Sequence, residues 1–92
     1  MIKFDYDDKY DIFDVWISNQ DLNPFGVDDT DVSIITKFYN SDDLYISNFL
    51  TGFKICDYTK HFKEPVIVDK VTDMFLELIK NNKILEEKNE VL

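Results

Sequence analysis

The sequence predicts an α+β fold: a four-stranded antiparallel β-meander with one C-terminal α-helix packed across it. Three observations carry this. Several runs within residues 2–59 alternate apolar and polar side chains with a period of two, the mark of half-buried strands. The breaks between the alternating runs are short and polar, as at Asp7-Asp8-Lys9 and Asn40-Ser41-Asp42-Asp43, which suits antiparallel neighbours joined by turns. At Pro65 the apolar period changes to that of a helix. Ninety-two residues fit one domain over 1–92. The sheet is expected in 2–59, the helix at about 66–81, and a frayed tail at 84–92.

The first strand is expected over 2–6, with Ile2, Phe4 and Tyr6 on one face and Lys3 and Asp5 on the other. Asp7-Asp8-Lys9 turns the chain, because Asp side chains bond nearby backbone and tolerate turn dihedrals. The second strand spans 12–17. Its uncharged face, Phe13, Val15 and Ile17, is the core candidate, and Ile12, Asp14 and Trp16 share the other face. Residues 18–30 read as a loop punctuated by Asn23-Pro24 and Phe25-Gly26.

A third strand is expected over 32–39, with Val32, Ile34 and Phe38 opposed to Ile35, Lys37 and Tyr39. The fourth covers 44–50 and continues past Gly52 through 53–58, where Gly52 reads as a bulge or bend. Residues 60–64 form a basic linker, and Pro65 suits the first turn of a helix. In that helix Ile67, Val71, Met74 and Leu78 form one row, widened by Val68, Phe75 and Ile79. Asn81-Asn82 marks its expected end, since Asn tolerates the left-handed C-cap. With one sheet face under the helix, the other is left with Trp16, Ile35, Tyr39, Tyr45, Phe49 and Tyr58. That is a large aromatic set for solvent, and it points either to an interface or to a curled sheet that buries both faces in part.

The charge is uneven. Residues 1–43 hold eleven Asp and three Lys, a balance of −8; residues 44–92 hold eight acids and seven Lys, a balance of −1. There is no Arg and no Ala, a bias consistent with an AT-rich bacterial or phage genome. An acidic chain repels nucleic-acid phosphates and is attracted to basic protein surfaces, although a negative charge can also serve solubility alone. No apolar run approaches the ~18 residues of a transmembrane helix. The start carries Asp5, Asp7, Asp8 and Asp11 where a secretory signal would be basic and then apolar. A cytoplasmic location is expected.

Little in the sequence points to catalysis. The one cysteine, Cys56, has no disulfide partner in the chain and no zinc-ligand spacing around it. Cys56 and the one histidine, His61, make a thin basis for nucleophilic chemistry. Asp28, Asp29 and Asp31 lack the alternate acids, central Gly and terminal Glu of an EF-hand calcium loop. No enzyme activity, cofactor or metal is expected.

The chain resembles a family of small bacterial proteins, domain of unknown function 2283. The likeness covers roughly residues 2–62. It lies in Phe4-Asp5-Tyr6-Asp7-Asp8-Lys9-Tyr10-Asp11-Ile12-Phe13 followed by Val15 and Ile17, and in Thr51-Gly52-Phe53-Lys54-Ile55-Cys56-Asp57-Tyr58. The sequence departs from the family at Asn40-Ser41-Asp42-Asp43, where a shorter turn would stand, and in its longer helical tail. The resemblance implies a β-meander without catalytic residues.

These readings favour a non-enzymatic domain that binds and inhibits a basic, nucleic-acid-handling partner, in the manner of an antitoxin, an immunity protein or a phage anti-defence protein such as an anti-CRISPR. The acids expected to meet that partner are Asp5, Asp7, Asp8, Asp28, Asp29, Asp31, Asp42 and Asp43, with Trp16, Tyr39 and Tyr45 from the aromatic face. The meander places the Asp7-Asp8 and Asp42-Asp43 turns at one end of the sheet and Asp31 at the other, giving two acidic clusters. The alternative is a homo-oligomeric structural or regulatory domain, dimeric through the aromatic face, whose charge only maintains solubility.

Overall fold

The computed structural model describes residues 1–41 and 49–90. Its elements are β1 (Ile2–Asp7), β2 (Ile12–Ile17), β3 (Pro24–Asp28), β4 (Ile35–Asn40), β5 (Leu50–Ile55), α1 (Tyr58–His61) and α2 (Pro65–Glu90). The α+β class is as expected, but the antiparallel sheet has five strands in the order β1-β2-β5-β4-β3. The expected turn at 40–43 and the strand over 44–49 fall largely outside the described residues.

The additional strand, β3, lies in the stretch that reads as a loop. Pro24 cannot donate a backbone hydrogen bond and Gly26 offers no side chain to pack, so the alternation signal is weak. An edge strand tolerates both, because it is bonded on one side only. β3 takes its register from β4, from Pro24 opposite Asn40 to Asp28 opposite Thr36.

β5 also departs from a meander, since it lies between β2 and β4 and not at the edge. Five of its six residues are buried, as fits a central strand bonded to a neighbour on each side. Gly52 makes the position possible. A Cβ there would stand 2.7 Å from the Val15 carbonyl oxygen, so any side chain would push β2 away. The irregularity expected at Gly52 is present as a register shift between β4 and β5, with Phe38 opposite Gly52 and Tyr39 opposite Leu50.

The register assigns the faces. Phe13, Val15 and Ile17 point toward α2 as expected, together with Phe53 and Ile55 of β5 and Ile35 and Tyr39 of β4. This inverts the expected facing of the β4 residues: Ile35 is core, and Phe38 lies on the open face with Trp16. β4 begins at Ile35 because Asp29 holds residues 29–32 in a turn, its carboxylate accepting the N–H groups of Asp31 and Val32 at 2.8 Å. Of the expected aromatic face, only Trp16 is on the open side among the described residues. Tyr39 and Phe49 pack against the core, and Tyr58 stacks on Phe13 at 4.9 Å. Tyr45 is outside the described residues.

α2 crosses the other face and continues well past residue 81. Its buried row is Ile67, Val71, Met74, Leu78, Asn81 and Leu85, spaced alternately by four and three. Val68 and Ile79, expected to widen this row, are exposed. Asn81 sits inside the row and does not end the helix. Its Nδ2 donates to the Leu50 carbonyl at 2.8 Å, satisfying a backbone acceptor at the end of the sheet. Residues 58–61, read as strand end and linker, form α1, entered through Asp57 in the left-handed conformation with φ of 51°. Among the described residues, no helix is long and apolar enough to cross a membrane.

The strand order also decides which turns meet. The end of β1, the start of β2, the end of β3, the start of β4 and the end of β5 all lie at one end of the sheet. The Asp7-Asp8 turn and the Asp28–Asp31 segment are therefore at the same end, not at opposite ends as a meander would place them. Asp42 and Asp43 are outside the described residues.

Candidate functional site

The acidic end of the sheet is built by three connections. The turn after β1 supplies Asp7, Asp8 and Asp11, the segment after β3 supplies Asp28, Asp29 and Asp31, and the exit from β5 supplies Asp57. The Asp7 carboxylate accepts the N–H groups of Lys9 at 3.0 Å and Tyr10 at 3.3 Å, which closes its turn. Asp8 is exposed at the tip. Asp28 accepts the Thr36 hydroxyl at 3.0 Å. Asp5 lies one alternate position back along β1, on the open face. Among the described residues, none of Asp5, Asp7, Asp8 and Asp28 takes part in an ion pair, and their charge faces solvent uncompensated at short range.

Two carboxylates at this end serve the fold. Asp11, in the left-handed region at φ of 54°, accepts the Tyr6 hydroxyl at 2.7 Å and the Thr59 hydroxyl at 2.7 Å, along with the Thr59 N–H. These bonds, the Tyr6 hydroxyl first, hold its carboxyl below the usual range and dock α1 against the β1–β2 turn. Asp29 is the second. Its side chain is only 1% exposed, and it carries ion pairs to Lys37 at 3.2 Å and Lys70 at 3.0 Å. Burial alone would push its carboxyl up. Hydrogen bonds from Lys70, from the Val32 and Asp31 amides and from Lys37 outweigh that and hold it far below the usual range. Asp29, expected on a binding surface, is thus occupied inside the chain, tying β3, β4 and α2 together. Asp31 remains exposed beside it, 3.5 Å from the Lys70 ammonium.

The second feature is a cleft of about 570 Å³ on the open face. Asp14, Trp16, Phe38 and Thr51 line it from the strands, and Asn19 and Leu22 from the connection between β2 and β3. Val15, Ile17 and Phe53 border it as well, and no α2 residue does. Trp16 and Phe38 both stand opposite Gly52, one on each neighbouring strand. Gly52 lets β2 approach closely, which brings the Trp16 backbone against β5 between the two aromatic side chains. Trp16 is 37% exposed. Asp14 stands directly opposite Asp5 on β1 and Lys54 on β5. Burial pushes the Asp14 carboxyl up, Lys54 draws it back, and Asp5 and Asp7 push it up further.

Reading the sequence alone overlooked Asp14 and Phe38 as site residues. Asp14 was legible as the charged neighbour of Trp16 on one face. Phe38 was not, because its placement beside Trp16 depends on β4 pairing with β5 and not with β2. Tyr39, expected beside Trp16, is on the opposite face.

The remaining reactive side chains are spread out. His61 directs Nδ1 to the Glu64 carboxylate at 2.7 Å, and Cys56 is half-buried after β5, its N–H donating to the Ile34 carbonyl. Among the described residues, no group of three or more His, Cys, Asp or Glu side chains is gathered as a metal site. The fold and these features describe an acidic α+β domain with one carboxylate-rich end and one aromatic cleft. No family model, curated protein or solved structure matches the chain.

Proposed function

We propose that this chain is a non-enzymatic protein-binding domain that neutralises a basic, nucleic-acid-handling partner in the cytoplasm, as antitoxins, immunity proteins and phage anti-defence proteins of the anti-CRISPR type do. One observation carries the reading: Asp8, Asp28 and Asp31 are exposed and Asp7 half-buried at the same end of the sheet, although they come from two segments twenty residues apart in sequence. Such a grouping makes a directional negative field, which steers a positively charged surface toward one end of the molecule. A cleft that normally accepts phosphates would find carboxylates in their place. The likeness to domain of unknown function 2283 rests on the sequence motifs quoted above and adds no partner of its own.

The test uses core histones as a generic basic probe, with capture measured at about 0.05 M and about 0.3 M salt. Asp7, Asp8, Asp28 and Asp31 are changed together to Asn, which keeps the side-chain acceptor that closes the Asp7 turn. Capture should fall severalfold at low salt, and the difference should shrink at high salt, where the Debye length drops below about 8 Å. The melting temperature should stay near that of the parent, since exposed carboxylates add little to stability. Equal capture by parent and variant at low salt would reduce the acidic balance to a solubility trait.

A further inference from the structure

The open face holds a carboxylate in an arrangement the fold does not use. Asp14 is half-buried beside Trp16, yet no described residue gives it a hydrogen bond or an ion pair; Lys54, its cross-strand neighbour, attracts it without closing to an ion pair. A carboxylate partly withdrawn from water gains from a cationic partner that bonds it. The walls around it are mostly apolar, with Trp16 and Phe38 on either side of Gly52 and Leu22 on the connecting loop. Strands two places apart are separated by roughly 10 Å, so the outer parts of the Trp16 and Phe38 side chains stand far enough apart for a planar group to stack on one or other ring.

From this geometry we infer that the cleft receives one arginine side chain of the basic partner, its methylene stem against Leu22 and Phe38, its guanidinium stacked on Trp16 and bonded to Asp14. The inference rests on the proposed binding of a basic protein and adds where a specific side chain seats. Charge complementarity selects the occupant. Asp14 faces Asp5 across the β1–β2 pair, so a cation entering here relieves like-charge repulsion as well as pairing the carboxylate. The opposing charges are Lys54 beside Asp14 and Lys3 opposite Trp16, and both lie on the strands and not in the cleft lining. Arginine is favoured over lysine because its guanidinium is flat, bonds a carboxylate through two N–H groups and stacks on an aromatic ring.

Trp16 is the single tryptophan of the chain, so its fluorescence reports directly on the cleft. The probe is acetyl-Gly-Arg-Gly-amide, titrated into the full chain. A saturable change in emission is expected. Binding should weaken by about tenfold or more, about 1.4 kcal/mol, when citrulline replaces arginine, and equally when the protein carries Asp14→Asn. That variant should fold with a melting temperature near the parent's, because the lost attraction to Lys54 is offset by the lost repulsion from Asp5. No saturable change with the arginine peptide would overturn the inference, as would equal binding of the citrulline peptide or by the Asp14→Asn protein. A lysine peptide binding as tightly as the arginine peptide would overturn the choice of guanidinium. Failure here with an intact effect of the four-carboxylate variant on histone capture would remove the cleft and leave the proposed function standing. The reverse pattern would remove the acidic end and leave the cleft.

Discussion

Replacing Asp29 with asparagine changes one atom of a side chain that joins three elements. Oδ1 already accepts the Asp31 and Val32 amides, and asparagine can keep both bonds. What is lost is the charge that pairs with Lys37 and Lys70. Removing one partner of a buried ion pair commonly costs about 3–5 kcal/mol, mostly through the charge left behind. Here the lysine side chains are each 29% exposed and can turn toward water, so the smaller loss of about 2 kcal/mol, typical of a hydrogen bond to a charged group, is expected. On a domain of this size that lowers the melting temperature by roughly 8–16 °C. The pH dependence separates this explanation from simple misfolding. The native carboxyl is held far below its unfolded value, so its stabilisation is complete above pH ~4 and is lost as the pH falls from there toward the native value. Thermal melts of parent and Asp29→Asn should therefore differ by a constant amount from pH 8 to pH 5 and converge below about pH 4. A gap that stays the same down to pH 3, or no gap at neutral pH, would refute the argument that the ionised carboxylate stabilises the fold.

Two further changes test the packing. Asn81→Leu removes the donor to the Leu50 carbonyl and leaves that acceptor buried, at an expected cost of about 1–3 kcal/mol in chemical denaturation despite the gain in hydrophobicity; an unchanged midpoint would show that the bond contributes nothing. Gly52→Ala places a methyl group 2.7 Å from the Val15 carbonyl oxygen, so β2 and β5 must separate, with a loss of about 1–3 kcal/mol and a shift in Trp16 emission; wild-type stability and emission would mean the two strands are not held this closely.

Much of the framework was legible in the sequence. The alternation around Phe13, Val15 and Ile17 located β2 and its core face. The change of period at Pro65 located α2, and the isolated Gly52 marked a bulge or bend, present as the register shift between β4 and β5. The expectations that differed from the structure have local physical causes. β3 is built from proline and glycine in positions that only an edge strand accepts. Val32 is held by a side-chain carboxylate and Ile34 lies in the backbone turn that follows, closed from the Ile35 N–H to the Val32 carbonyl, contacts that alternation does not reveal. Asn81 resembles a helix terminator until a carbonyl 31 residues away makes it a buried donor. The carboxylates divide in the same way: Asp7, Asp8, Asp28 and Asp31 are surface charges, whereas Asp29 is engaged by lysines eight and 41 residues further along the chain.

The sequence by itself determined the α+β class, the helix after Pro65, the inward row of β2 and the concentration of acids before residue 44. These depend on periodicity and composition, which act over a few neighbouring residues. Only the tertiary structure decided that β5 inserts between β2 and β4, that the Asp7-Asp8 turn and the Asp28–Asp31 segment share one end, and that Phe38 stands across Gly52 from Trp16. Strand order is a competition among long-range pairings. It was decided by which strand could pair on both sides and approach β2 most closely, and that is a property of the assembled sheet and not of any single stretch of the chain.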